Sequence, residues 1–187
     1  MSEETKVLVQ RFIEGDHEAY AELVRRYKKK VYSLAYQMMG NHIDADEVTQ
    51  ETFVRVFEKQ PDLKTITYFQ SFLLRIATNY AIDLLRRKQK RSISFEDETE
   101  MLPSVQAEMA EGIATPDRNL ENLELSEIIS RAIDRLPPRQ KITIALHDVE
   151  GYSMTEVAMT LGCPEATVRS NLHIARSKLK KWLAKKL

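Results

Sequence analysis

The residues of this chain best suited to recognition chemistry lie between Ser153 and Leu183, in S-M-T-E-V-A-M-T-L-G-C-P-E-A-T-V-R-S-N-L-H-I-A-R-S-K-L-K-K-W-L. Val168, Leu172, Ala175 and Leu179 are spaced four, three and four, the spacing of one buried helix face. At about 100° per residue the opposite face carries Ala166, Arg169, Ser170, His173, Ile174 and Ser177. A small, polar, cationic face whose first residues lie near a helix start suits a major groove, where an arginine fork matches the edge of guanine. Such a helix must be held by a partner. Ser153 and Glu156 have the spacing of a capping box, and Val157, Ala158 and Leu161 follow as an apolar side. Gly162 stands where a helix closes through a left-handed residue, and Pro164 where a first turn tolerates proline. The stretch reads as a helix-turn-helix with a basic tail. The alternative is an ordinary helical hairpin with a solvated face.

Reaction chemistry is not legible in the same way. The chain has no Gly-rich phosphate loop, no G-x-S-x-G and no H-E-x-x-H. His147 and Asp148 are adjacent on an expected helix, so they point apart. His42, Asp44, Asp46 and Glu47 match no metal-binding loop in their spacing, and Cys163 is the only cysteine. Neither a catalytic residue, a metal nor a cofactor is expected.

Net charge is zero over 187 residues, but its distribution is uneven. Residues 1–91 carry 16 Lys and Arg against 13 Asp and Glu, residues 92–126 carry 1 against 9, and residues 127–187 carry 11 against 6. Two basic lobes joined by an acidic strap fit a protein that meets phosphates at both ends. The start, M-S-E-E-T-K, lacks the basic-then-apolar pattern of a signal peptide, and no apolar run is long enough for a bilayer. The expectation is a soluble cytoplasmic protein with no membrane insertion.

The periodicity is helical throughout. A short helix is expected over 3–13 on Val7, Leu8 and Phe12, then a longer one over 17–39 after Asp16. A third, over 44–58, buries Ala45, Val48, Thr52, Phe53, Val56 and Phe57 and turns Asp46, Glu47, Gln50 and Glu51 outward. Pro61 and the loop Asp62 to Thr67 precede a long helix over 68–91, whose apolar stripe ends in Arg86-Arg87-Lys88-Gln89-Lys90-Arg91. Five cations in six residues exceed what a helix C-terminus needs and suggest a phosphate track. Residues 92–122 lose periodicity and read as a flexible acidic linker. Beyond them, Leu125, Ile128, Ile129, Ala132, Ile133 and Leu136 mark a helix stopped by Pro137-Pro138. Another, over 139–150, follows on Ile142, Ala145, Leu146 and Val149. The fold class is all-α: two small helical domains, 1–91 and 123–187, joined by the linker, the second carrying the helix-turn-helix.

Taken in order, these segments resemble the bacterial RNA polymerase sigma factors of the extracytoplasmic-function group. The group's region two is matched by G-D-H-E-A-Y-A-E-L-V-R-R-Y at Gly15 to Tyr27, D-A-D-E-V-T-Q-E-T-F-V-R-V-F at Asp44 to Phe57, and F-L-L-R-I-A-T-N-Y-A-I-D-L-L-R-R at Phe72 to Arg87. Region four is matched by L-P-P-R-Q at Leu136 to Gln140, E-G-Y-S-M-T-E-V-A at Glu150 to Ala158, and A-T-V-R-S-N-L at Ala166 to Leu172. The linker stands where larger sigma factors have region three.

The resemblance implies a transcription initiation factor that is not an enzyme. Asp46, Glu47, Gln50, Glu51 and Arg55 would dock on the clamp helices of the polymerase's largest subunit, and the second domain would meet the flap of the second-largest. The loop Asp62 to Thr67, with Lys64, Thr65 and Thr67, would hold a base flipped from the minus-ten strand. Tyr68, Phe69, Phe72, Asn79, Arg86, Arg87, Lys88 and Lys90 would line the path of that strand. Thr167, Arg169, Ser170, His173 and Ile174 would read the minus-thirty-five element, with Lys178, Lys180 and Lys181 near its phosphates. An anti-sigma factor would hold the free protein. The sequence departs from the group's pattern at Phe72, where tryptophan is usual, and at Ile174, where a basic residue is frequent. Isoleucine can pack on a thymine methyl but cannot donate a hydrogen bond, which implies an altered minus-thirty-five preference. Two rival readings are a free-standing helix-turn-helix regulator that binds duplex DNA without polymerase and an interaction adaptor with incidental basic ends.

Overall fold

In a computed structural model, the structure describes residues 3–60, 63, 68–95 and 128–184, with side chains omitted over 89–95. The first domain comprises α1 (Glu3–Ile13), α2 (His17–Met39), α3 (His42–Glu58) and α4 (Phe69–Phe95). The second comprises α5 (128–134), α6 (Pro138–Ile144) running on into a π turn (Ala145–Val149), α7 (Met154–Leu161) and α8 (Glu165–Leu183). The described regular structure is all helical.

Local chemistry sets the helix ends. The Asp16 side chain accepts from the backbone N–H groups of Glu18 and Ala19 at 2.9 and 3.2 Å, satisfying two donors that the first turn of α2 leaves unpaired. Gly40 closes α2 at φ 75°, where a Cβ would be strained. Asn41 caps α3 by accepting from Asp44 N at 2.9 Å. This starts α3 at His42, two residues before the expected start. At its other end α4 continues to Phe95, into residues expected to belong to the linker. The rest of the linker lies outside the described residues, as does the minus-ten loop apart from Leu63.

The core is continuous through both domains. Val31, Leu34, Val48, Val56, Leu73 and Ala77 are buried in the first, and Ile142, Leu146, Val157, Val168 and Leu172 in the second. Each large aliphatic side chain so buried contributes about 1.5–3 kcal/mol relative to exposure. Four positions expected inside are outside. On α1, Thr5, Val9 and Phe12 face inward, with Thr5 Oγ1 3.2 Å from Tyr27 Oη, and Val7 is exposed. Phe57 is exposed and stacks on His17, with ring centroids 5.7 Å apart. Ile129 is exposed on α5. Val149 is exposed because the π turn adds a residue to the last turn of α6 and shifts its phase: Glu150 N donates to Ala145 O at 2.9 Å.

That phase shift also joins the domains. It sends the Glu150 carboxylate to α2, where Gln37 Nε2 and Ser33 Oγ donate to it at 2.7 and 3.1 Å. Gln70 Nε2 of α4 donates to the Tyr152 hydroxyl at 2.9 Å, and Lys30 Nζ lies 5.0 Å from the centre of the Tyr152 ring. Gln37 Oε1 is buried at this seam with no hydrogen-bond partner among the described residues. Beside the apolar core that runs through both domains, the seam thus carries polar contacts of which one is incompletely satisfied.

Candidate nucleic-acid interface

Three surfaces carry the sequence-predicted residues. The first is the outer face of α3. Asp46 and Gln50 are exposed and make no hydrogen bond or ion pair among the described residues. Glu51 accepts from Arg55 Nε at 2.7 Å, and Glu47 Oε1 accepts from the Tyr80 hydroxyl at 2.7 Å. The hydrogen bond to Glu47 pushes the Tyr80 hydroxyl's pKa above its ordinary value, with burial adding to it. Ile43, 82% exposed, and the exposed Val54 and Phe57 complete the same stripe, at 43, 47, 50, 54 and 57. Of these apolar members Phe57 was expected in the core, Ile43 lay before the expected start of the helix, and Val54 was assigned to neither face. Their spacing of four, three, four and three is a helix face as legible as the buried one. Acid in the middle with apolar ends suits a cationic helix better than solvent does.

The second surface is one side and the end of α4. Phe72, Arg75 and Asn79 fall on one stripe, with Phe72 half-buried and the other two exposed. Arg75 was not singled out in the sequence. Its guanidinium lies over Gly162 of the helix-turn-helix, where an added Cβ would stand 2.9 Å from Nη2. Tyr68 is 51% exposed, an aromatic ring left at the surface. Phe69 does not belong with it: the side chain is 1% exposed and packs edge-on to Tyr27 at 5.5 Å, so it supports the stripe from inside. At the basic end, Arg87 lies 5.5 Å from the Tyr80 ring centre, Arg86 is 3.7 Å from Asp83, and Lys88 Nζ donates to the buried Asp44 carboxylate. Lys64, Thr65 and Thr67 lie outside the described residues, as does the side chain of Lys90.

The third surface is α8. The Ser153 hydroxyl accepts from Glu156 N, and the Glu156 side chain accepts from Ser153 N, so α7 starts with a complete capping box. Gly162 ends it at φ 61°, and α8 begins after Pro164. Val168, Leu172 and Ala175 turn inward. Thr167, Arg169, Ser170 and His173 are exposed, and Ile174 is 40% exposed beside them. None of the five makes a side-chain hydrogen bond or ion pair among the described residues. Lys178 departs from this pattern: half-buried, it donates to Gln140 Oε1 at 3.1 Å and so braces α8 on α6. Arg176 braces the other side, with a two-pronged pair to Asp148 at the π turn.

No helix among the described residues is long and apolar enough to cross a membrane. An exposed, unpartnered helix face on a helix-turn-helix can read a groove, and cations beside surface aromatics can follow a single strand.

Comparison with known proteins shows the family. Residues 23–91 match the family model for sigma-70 region 2, and residues 126–179 match that for sigma-70 region 4. The chain is 34% identical over 172 residues to the ECF RNA polymerase sigma factor SigW of Bacillus subtilis, covering 90% of this chain and 91% of that one. It is 32% identical over 177 residues to the ECF RNA polymerase sigma-E factor of Escherichia coli K12, covering 91% and 90%. The sigma factor SigE of Mycolicibacterium smegmatis is 36% identical over 174 residues, 91% of this chain but 65% of that longer protein. Two solved structures share the fold. One is CnrH in complex with the cytosolic domain of CnrY, at TM-score 0.70 and 22% identity over 99% of this chain and all of that one. The other is the Bartonella quintana sigma factor RpoE in complex with the anti-sigma factor NepR, at 0.65 and 19% over 88% and 96%. With both regions matched in order and relatives aligned along nearly their whole length, the chain belongs to the extracytoplasmic-function group of RNA polymerase sigma factors.

Proposed function

We propose that the chain binds core RNA polymerase and directs it to promoters with a minus-ten and a minus-thirty-five element, without catalysing a reaction itself. Residues 1–91 act as the polymerase-docking and strand-binding domain, 92–122 as the linker and 123–187 as the duplex-reading domain. The α3 face meets the clamp helices of the largest subunit, and the second domain meets the flap of the second-largest. Tyr68, Phe72, Asn79 and the basic end of α4, with the loop before them, take the opened minus-ten strand. Arg169, Ser170, His173 and Ile174 read the minus-thirty-five duplex. The observation that carries this reading is the bare outward face of α8, held by a capped helix-turn-helix in the same chain as the acidic and apolar stripe of α3. A free-standing regulator gives the α3 stripe no role. The protein works in the cytoplasm and is held in reserve by an anti-sigma factor, a partner class named for the RpoE structure.

The packed arrangement also implies a movement. Elements about 25 base pairs apart are separated by about 85 Å of B-form duplex, at 34–36 Å per turn. Here α4 packs against α7, and α7 against α8, so the two reading surfaces belong to one packed body. The Glu150 and Tyr152 contacts must therefore part before both elements are engaged. Run-off transcription with core polymerase and fragmented genomic DNA, with and without the protein, tests the function. The expected result is discrete new transcripts sharing a two-part upstream motif. No transcripts, together with tight duplex binding by the protein alone, would sink it in favour of the free-standing regulator.

A further inference from the structure

The contact between α3 and α4 carries an inference beyond docking and strand binding as separate tasks, and it rests on the function just proposed. Tyr80 is 8% exposed, yet three charged side chains converge on it. Its hydroxyl donates to Glu47 Oε1 at 2.7 Å. Arg55 lies 4.7 Å from its ring centre and Arg87 5.5 Å, both within cation–π range. Arg55 is itself held by Glu51 at 2.7 Å. One phenol therefore touches Glu47 and Arg55 of the acidic docking face and Arg87 of the basic strand-binding end.

We propose that Tyr80 is a positioning residue that couples polymerase docking to strand binding. Its hydroxyl fixes the Glu47 carboxylate with one oxygen committed and the other free for a polymerase cation. Its ring holds Arg87 at a set distance from that carboxylate. A cation arriving at Glu47 and a phosphate arriving at Arg87 both act on the same side chain, so each biases the other reciprocally. A tyrosine serving only to fill the core would need neither the carboxylate nor the two cations.

The test uses the full chain with core polymerase and a forked promoter DNA with a single-stranded minus-ten element. Tyr80→Phe keeps the ring and removes the hydroxyl. It should weaken core binding about three- to tenfold, less than the full worth of a hydrogen bond to a charged group, because the hydroxyl only positions Glu47 and does not itself meet the polymerase. Glu47→Gln should then cost less in Tyr80→Phe than in the parent. Tyr80→Leu removes the ring. Arg87→Ala should weaken forked-DNA binding of the parent and of Tyr80→Phe alike, but should cost at least threefold less in Tyr80→Leu. Additive effects in both cycles would overturn the coupling, since a purely structural tyrosine moves stability without linking these pairs. If Tyr80→Leu does not fold, the gain in forked-DNA affinity on adding core polymerase is compared between the parent and Tyr80→Phe: a smaller gain in Tyr80→Phe supports the coupling and an equal gain overturns it. A parent chain that binds neither core polymerase nor forked DNA would instead refute the function on which the coupling rests.

Discussion

The two surfaces proposed to meet nucleic acid are built in opposite ways. On α8 the reading side chains are bare: Arg169, Ser170 and His173 face solvent with no hydrogen bond or ion pair among the described residues, and the bracing is done by Arg176 and Lys178 at the flanks. On α4 the described cations of the basic end are already engaged: Arg86 with Asp83, Arg87 with Tyr80 and Lys88 with Asp44. A bare surface meets duplex at the cost of desolvation alone. An engaged one must exchange internal partners for phosphates, so its affinity is the difference of two interactions. Duplex recognition is then preformed, while strand capture depends on the state of the protein around it.

The largest expected effect is on the preformed side. Arg169→Ala should cost about 1–3 kcal/mol of promoter binding, roughly fivefold to 150-fold, and relax selection at one base pair. Holoenzyme binding to a panel of single-base promoter variants measures both. If every variant weakens equally, Arg169 contacts phosphate and α8 is not read as proposed. Ile174→Arg should change which minus-thirty-five sequences are selected; an unchanged selection would mean that Ile174 does not face the bases.

Asp44→Ala tests the engaged side. The carboxylate accepts from Lys88 and from Asn41 Nδ2, the latter at 2.7 Å, and lies 44 positions from Lys88 in sequence. Its loss should destabilise the first domain by about 1–2 kcal/mol. That corresponds to a fall in Tm of roughly 4–16 °C for a domain of this size. Freed from Asp44, Lys88 should tighten binding to single-stranded minus-ten DNA. Lower stability with tighter strand binding is the signature of an internally competed cation. Lower stability with unchanged or weaker strand binding would remove the contrast between the two surfaces.

A smaller effect concerns the joint that presents α8. Gly162→Ala places a Cβ at φ 61° and 2.9 Å from the Arg75 guanidinium. Arg75 is a flexible exposed side chain and can swing aside, so the left-handed backbone sets the cost, about 1 kcal/mol. Thermal unfolding should show this loss persisting in Arg75→Ala. Full rescue there would mean that the arginine contact, not the backbone, requires glycine.

The helices themselves were legible because their signals are local. Asp16, Gly40, the Ser153–Glu156 pair and Gly162 each act within a few residues, and the apolar spacing of α2, α4 and α8 needs no tertiary knowledge. What was not legible depends on partners far away in sequence. Phe69 and Tyr68 are adjacent aromatics; the helical period puts Phe69 on the apolar stripe with Leu73, Ile76 and Tyr80, and its packing on Tyr27 of another helix leaves it no ring face for a strand. Lys178 looked like one more cation of a basic tail until Gln140 came within 3.1 Å. The π turn has no composition of its own; it arises where Glu150 and Tyr152 reach the first domain, and it turned Val149 outward against the helical period. The residues proposed for docking, strand and duplex binding lie on α3, α4 and α8, the helices that the periodicity assigned them to. Which of their residues are free and which are held is a tertiary property.

The smallest effect separates the two helices of the motif by how each begins. Pro164 gives α8 no side-chain cap, whereas α7 starts on a charged one. The Glu156 carboxyl is held below its ordinary pKa, first by the Ser153 hydroxyl and next by the Ser153 backbone N–H. A carboxyl whose folded pKa is depressed binds fewer protons folded than unfolded. Its contribution to stability is therefore fully present above the unfolded value, near 4.5, and is lost as pH falls through the lowered folded value. Glu156→Gln keeps an oxygen that can accept from Ser153 N but has no proton to take up. At pH 7 the parent should unfold at the higher temperature, and towards pH 3 the gap should close. A gap of equal size at both pH values would mean that the box stabilises α7 by shape alone. In that case the contrast between a charge-capped α7 and an uncapped α8 would disappear, and acid would loosen the duplex-reading domain no more at one helix than at the other.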